Sequence, residues 1–341
     1  MPGSISSLRC AYILGALMTL CSCALGGDVY FSGPANGGSF HDIANWKESV
    51  DGELIPLGEL PSWDDTALIG SPKTPHAQRA IFDELVKLET RTMFVGYRPG
   101  GRGELVIDDP TGRLSTQQII VGWGETGSLT VRQGLLAVEL RETSYVGLQS
   151  GGDGKLRVEA GGTFACTPGQ AGNEIRLGSN QATGLVEILG GTFDAAGCQL
   201  ILGSGSGQGG LSVESDSEVV LGQITAAGQG EFSLAIRDGA FDPIEVRGLL
   251  SLSSLAKLNV HFVGEHPKVG DEFVLFRYGS LAGEFLPENI AVDGAGAVLD
   301  FGPGLAGSIS LRVVHVPEPA TLIVLLLGCL AIVLTKRRRS V

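Results

Sequence analysis

Charge, aromatic rings and cysteine are all scarce in this chain, and each shortage closes a class of protein. Charged residues make up 18% of 341 positions, and 24 Lys plus Arg stand against 37 Asp plus Glu, for a net charge of −13. An acidic excess of this kind argues against nucleic acid and anionic membrane faces as partners, because both present negative charge. The five histidines, His41, His76, His261, His266 and His315, are scattered without metal-ligand spacing. Of six cysteines, Cys10, Cys21 and Cys23 fall in the first 26 residues and Cys329 near the far end, which leaves only Cys166 and Cys198 in the body. The 3.6-residue apolar period of a helix is missing from the body. Hydrophobic residues nevertheless reach 43% and glycine numbers 52, about twice its usual share. The composition is that of tight repeating turns rather than of a disordered linker.

What is present is a repeat. Between Met93 and about Leu234 the kernel Gly-x-(Leu/Phe)-x-(Val/Ile/Leu) occurs six times, at Gly103–Ile107, Gly127–Val131, Gly154–Val158, Gly184–Ile188, Gly209–Val213 and Gly230–Leu234. An aliphatic-Gly pair precedes the first five: Val95-Gly96, Val121-Gly122, Val146-Gly147, Leu177-Gly178 and Leu202-Gly203. Gly-x-Phe follows three of them, at Gly162–Phe164, Gly191–Phe193 and Gly239–Phe241. The central apolar residue steps from Leu105 to Leu129, Leu156, Leu185, Leu211 and Phe232.

A period of 20–30 residues is the signature of a stacked repeat. Within each kernel apolar and polar residues alternate, as in Leu129-Thr130-Val131, which is the pattern of a strand with one buried face. A strand of about five residues bounded by glycines cannot bury that face alone, so neighbouring repeats must share a continuous interior. The expected fold is all-β: a parallel β-solenoid, or β-helix, rising by roughly 4.8 Å per coil. A leucine-rich repeat would carry a helix or an Asn ladder in each unit, and neither is present; a β-sandwich of hairpins is the other competitor.

The chain divides into five parts. Residues 1–26 have the layout of a secretory signal: Arg9, an apolar core over Ala11–Leu20, then small residues. An alternative makes Cys23 a lipidation site, because Leu20-Cys21-Ser22-Cys23 loosely matches a lipobox. Residues 27–92 are expected to form N-terminal capping coils. Here Asn45-Trp46 and Pro61-Ser62-Trp63-Asp64-Asp65-Thr66-Ala67-Leu68-Ile69 resemble the opening of large bacterial surface proteins with β-helical repeats, in which such a segment forms the first coil. Trp46 and Trp63 are then large apolar covers for an open solenoid end, with sugar stacking as the functional alternative. Residues 93–248 are the solenoid repeats, and residues 249–316 a small C-terminal antiparallel β region that begins where register fades near Gly248.

Residues 317–341 carry the address. Pro317-Glu318-Pro319 precedes a 15-residue apolar run, Ala320–Leu334, and the cluster Lys336-Arg337-Arg338-Arg339. The run is short for a transmembrane helix, which typically needs about 20 residues, and the basic tail would stay cytoplasmic. This layout resembles the PEP-CTERM sorting signal, with Pro317, Glu318 and Pro319 as its motif. The resemblance covers only these last residues. It implies recognition by an exosortase-type membrane protease, release of the tail, and transfer to the cell surface or an extracellular polysaccharide matrix. Taking away the five positive charges of Arg9, Lys336, Arg337, Arg338 and Arg339 while keeping Glu318 leaves an exported body at −18.

Cys166 and Cys198 follow their Gly-x-Phe marks by two and five residues, so they occupy nearby slots on successive coils. In an exported chain they are either a disulfide or two buried apolar thiols. No catalytic or metal-binding residue emerges. Gly205–Gly210 matches G-x-G-x-x-G but has no helix after it. Gly151-Gly152-Asp153-Gly154 lacks the second aspartate of a calcium nonapeptide. Asp64-Asp65 and Asp108-Asp109 are adjacent pairs, expected as solvated turn acids. The outward kernel positions Val106, Thr130, Arg157, Ser212 and Ser233 form no column of acids, with Glu187 one place out of line, and no aromatic column is visible. The function expected is therefore structural or interactive, without catalysis and without cofactor, with a carbohydrate-binding or polysaccharide-degrading β-helix as the alternative.

Overall fold

The structure is a computed structural model and describes residues 27–316 other than 35, 52, 75–76, 84–86, 169–173 and 303–306. Glycine sets the local path. Each aliphatic-Gly mark ends in a left-handed residue: Gly96 at φ +75°, Gly122 at +73°, Gly147 at +78°, Gly178 at +63° and Gly203 at +70°. Such a residue turns the chain through a corner that a Cβ would make costly. At these corners the next coil also passes within contact, so that a Cβ on Gly122 would stand 2.6 Å from the Asp153 carbonyl. The six kernel glycines stack directly, Gly103 on Gly127, Gly154, Gly184, Gly209 and Gly230.

The result is a three-sided parallel β-solenoid of about seven turns. Its first face carries the aliphatic-Gly strands, from Asp28–Phe31 through Thr66–Ile69 and Ser144–Leu148 to Glu174–Ser179 and beyond. Its second face carries the kernels, from Gln78–Phe82 through Asp153–Glu159 to Lys257–Val263. Its third face carries residues 87–90, 113–116, 135–140, the strand Gly162–Pro168, and residues 192–195, 218–221 and 244–246. Long strands bend round corners: Gly103–Trp123 runs along all three faces in turn, and Thr192–Ser204 along the third and the first.

Inward side chains form columns. On the second face Leu105, Leu129, Leu156, Val186, Leu211, Phe232 and Leu258 are all essentially inaccessible, and on the third Phe164 stacks on Phe193 at 4.5 Å with 7° between ring planes. Burying one such side chain stabilises by about 1.5–3 kcal/mol, and only the stack makes that burial available. Ser144 on the first face is fully buried and its hydroxyl accepts the Ile119 N–H at 3.0 Å.

The N-terminal edge is closed by a hairpin. Trp46–Val50 pairs antiparallel with Asp28–Phe31, and Glu53–Pro56 pairs with it in turn. Trp46 is completely buried between Phe31 and Phe40, and its indole N–H donates to the Phe40 carbonyl at 2.7 Å. The far end is antiparallel: Glu272–Ala282 pairs with Gly307–His315, which pairs with Gly296–Phe301.

Several expectations are corrected. Residue 93 lies inside the strand Lys87–Tyr97 and residue 248 inside Ile244–Leu252, and parallel stacking runs past both, from Asp28 to Val292. Stacking depends on inward residues and backbone ladders, and those persist where the glycine signature lapses; Gln78 sits on Gly103 as a full rung. The fourth kernel is centred on Val186, not Leu185: Val186 lies on Leu156 and Leu211, while Leu185 points outward. The third Gly-x-Phe, Gly239–Phe241, lies in a turn, and Ile244 fills the core position on that coil. Trp63 does not enter the interior; it leans against the outside of the third face. No helix among the described residues is long and apolar enough to cross a membrane. The expected signal at 1–26 with Cys23, and the sorting segment at 317–341 with Pro317, Glu318 and Pro319, lie outside the described residues, as does His76.

Candidate functional site

The outward acids of the second face are engaged by cations across coils. The Arg132 guanidinium reaches Asp108 at 2.8 Å on the coil before and Glu159 at 3.2 Å on the coil after. The Asp108 hydrogen bond and charge, followed by Glu159, hold Arg132 more firmly protonated than an ordinary arginine. Glu187 accepts both Lys155 at 2.8 Å and Arg157 at 2.7 Å. Glu187 sits in line with Arg157 and Ser212, because the register is set by Val186. Each exposed pair contributes little singly, about 0–1 kcal/mol, but as links between rungs they hold register. A carboxylate tied to an arginine is a poor general acid or nucleophile.

The turn acids serve the backbone. Asp65 accepts the Ser62 N–H at 2.7 Å and hydroxyl at 2.9 Å with one oxygen, and the Gly27 N–H at 3.1 Å with the other. Asp109 accepts the Thr111 hydroxyl at 2.6 Å and N–H at 2.7 Å, which holds its carboxyl below the usual range. Gly151 to Gly154 and Gly205 to Gly210 run from turns into the following strands. Among the described residues no group of three or more His, Cys, Asp or Glu could hold a metal ion.

The two body cysteines meet. The pairing of their strands ends at Ala165 opposite Asp194 on the third face, and two extra residues between Ala195 and Gln199, relative to the coil that follows, bulge the chain where Cys198 comes beside Cys166. Both are buried, and their Sγ atoms are 2.9 Å apart. The hydrogen bond between the two thiols and burial push the Cys166 thiol well up, so this buried pair resists ionisation in the folded chain. The five-residue offset seen in the sequence is this bulge.

Two outer surfaces escaped sequence inspection. On the first face Tyr30, Leu68, Phe94, Ile120 and Tyr145 form an outward apolar column, with Tyr97, Trp123 and Leu148 beside it. The kernel positions had shown no aromatic column because this one belongs to the aliphatic-Gly strands. Its rings are turned on one another, Phe94 lying 5.4 Å from Trp123, and Arg98 and Lys73 lie over Tyr97, Trp123 and Tyr30.

The second surface is a trough of 310 Å³ on the third face. Its floor is small where three successive coils present Ser115, Ala137 and Ala165 in register. Trp63 overhangs it, with Arg141 5.4 Å from the indole centroid, and Arg113, Glu89, Glu139 and Thr167 form the rim. No signal in the sequence marked the floor, since small outward residues have no pattern until the register is known.

These features define a β-solenoid protein with a mixed polar and aromatic trough on one side. No protein-family model matches the chain, and no curated protein matches it significantly.

Proposed function

We propose that this is an exported, non-catalytic structural or interaction protein of the cell surface or extracellular matrix, delivered by a PEP-CTERM-type signal at residues 317–341 and an exosortase-type protease. The observation that carries the structural role is the uninterrupted parallel stack, whose three ladders leave few free edges for proteases or for unwanted strand pairing. The ion pairs of Arg132 and Glu187 support a passive surface rather than a reactive one. Pro317-Glu318-Pro319, the apolar run and the basic tail support the address. In this function the rod holds a stiff, acidic flank away from the membrane. A lipoprotein processed at Cys23 would differ in attachment alone.

The test is the mass of the mature protein recovered from its native cells, together with the fraction that holds it. The expected form lacks about the first 26 residues and everything beyond about Pro317, and occurs at the surface or in the matrix. An intact C-terminus in the membrane fraction would overturn the sorting proposal. The trough under Trp63 favours a second function, glycan binding, on the same rod.

A further inference from the structure

We propose that the trough on the third face binds a neutral saccharide chain, stacked on Trp63 and laid across the small floor of Ser115, Ala137 and Ala165. The argument begins with the shape of the ligand this trough selects. A pyranose ring has an apolar C–H face and a rim of hydroxyls that both donate and accept. Trp63 supplies a flat aromatic wall of matching character, and the floor leaves room because three coils in succession carry side chains no larger than serine's. Arg113 offers donors, Glu139 acceptors, and Thr167 both, all on the rim.

Charge selects against ionic ligands. Arg113 and Arg141 balance Glu89 and Glu139 around the trough, and Arg141 lies 3.8 Å from Glu139. A polyanion would also meet a body of net negative charge. An uncharged polyhydroxylated chain meets neither obstacle.

The wall is held in place before any ligand arrives. The Ser62-Trp63-Asp64-Asp65 turn is closed by the Asp65 carboxylate on the Ser62 N–H and hydroxyl, and is fastened to the first rung through the Gly27 N–H. Arg141 packs against the indole. A preorganised ring loses little freedom on binding. On the first face Phe94, Tyr97 and Trp123 pack their rings on one another, and Lys73 lies over Tyr30. This proposal adds a ligand class to the interaction role and does not depend on the export route, so its failure would leave the sorting measurement unaffected.

The test uses the purified full chain. Calorimetric titration with neutral hexasaccharides built from glucose (both α- and β-1,4-linked), mannose and xylose is run beside polygalacturonate as the polyanion. Saturable binding of at least one neutral hexasaccharide is expected. Trp63→Ala should weaken it roughly tenfold or more, Ala137→Arg should block it by filling the floor, and Trp123→Ala on the first face should leave it unchanged. Circular dichroism confirms the fold of each variant, and Ala137→Arg carries the test if Trp63→Ala does not fold. Absence of binding across the neutral panel, binding of polygalacturonate alone, or binding unmoved by the folded trough variants would each overturn the proposal.

Discussion

Oxidation of Cys166 and Cys198 is the sharpest perturbation this structure offers. The two Sγ atoms stand 2.9 Å apart, and a disulfide bond of about 2.05 Å needs less than about an ångström of approach from side chains already facing each other. Refolding in a glutathione buffer supplies the chemistry: one cysteine thiolate attacks oxidised glutathione and releases one reduced glutathione, the other cysteine then displaces the second glutathione from the mixed disulfide, and the protein is oxidised by two electrons. The bond closes a loop of one coil, from residue 166 to residue 198. Chain-entropy arithmetic for a loop of that length gives about 3.7 kcal/mol of stabilisation. At about 2 °C per kcal/mol for a chain of this size, the melting temperature rises by roughly 7 °C. The assay compares thermal unfolding with and without reductant, and counts alkylated thiols by mass. The wild-type chain should lose both the bond and the extra stability in reductant, while a Cys166→Ala/Cys198→Ala variant should show no reductant effect. Two thiols that remain alkylatable after oxidative refolding, with a melting temperature indifferent to reductant, would refute the argument from proximity.

Two further outcomes follow from the corners and their acids. Gly122→Ala should destabilise by about 3–5 kcal/mol in chemical denaturation, because an αL penalty of about 1–2 kcal/mol is joined by collision with the Asp153 backbone of the next coil. Gly205→Ala is the control: Gly205 has φ +65° but nothing within 4 Å, so it should cost only the about 1–2 kcal/mol of the αL conformation. Equal costs at the two sites would sink the stacking account of these glycines. Glu125 is held below the usual carboxylate range first by the Gly100 N–H at 3.0 Å and then by Arg102 at 3.4 Å. A depressed carboxyl contributes stability that is whole above its unfolded value of about 4.3 and vanishes as pH falls through the folded value. The stability difference between wild type and Glu125→Gln, measured by denaturation across pH, should therefore be constant near neutrality and shrink in acid; a difference independent of pH would be evidence against the bond.

The repeat, its period and its all-β character were legible because they rest on local rules. Alternation such as Leu156-Arg157-Val158 reports a half-buried strand, and Val121-Gly122 reports a corner that only glycine turns cheaply. The in-register stacking of all six kernel glycines is the physical reason that the kernel recurs. Legibility failed where a feature depends on register between coils. Leu185 and Val186 are both apolar neighbours, and only pairing to Leu156 shows which one faces inward. The coils before residue 93 lack a complete glycine signature, yet their backbone ladders and buried Ala67, Ile69 and Ala80 continue the stack.

Composition and short-range pattern by themselves determined that the chain is acidic, glycine-cornered and built of stacked short strands, and they alone carry the tail on which its address is proposed. The tertiary structure decided what lies beside what: Arg132 between two acids, Cys198 returned by a bulge to Cys166, and Trp63 above three small residues from three coils. Neighbours within a strand are set by covalent geometry, but neighbours across a solenoid are about one coil, or 20–30 residues, apart in sequence. Register is a collective outcome of the whole stack, so no local stretch of sequence contains it.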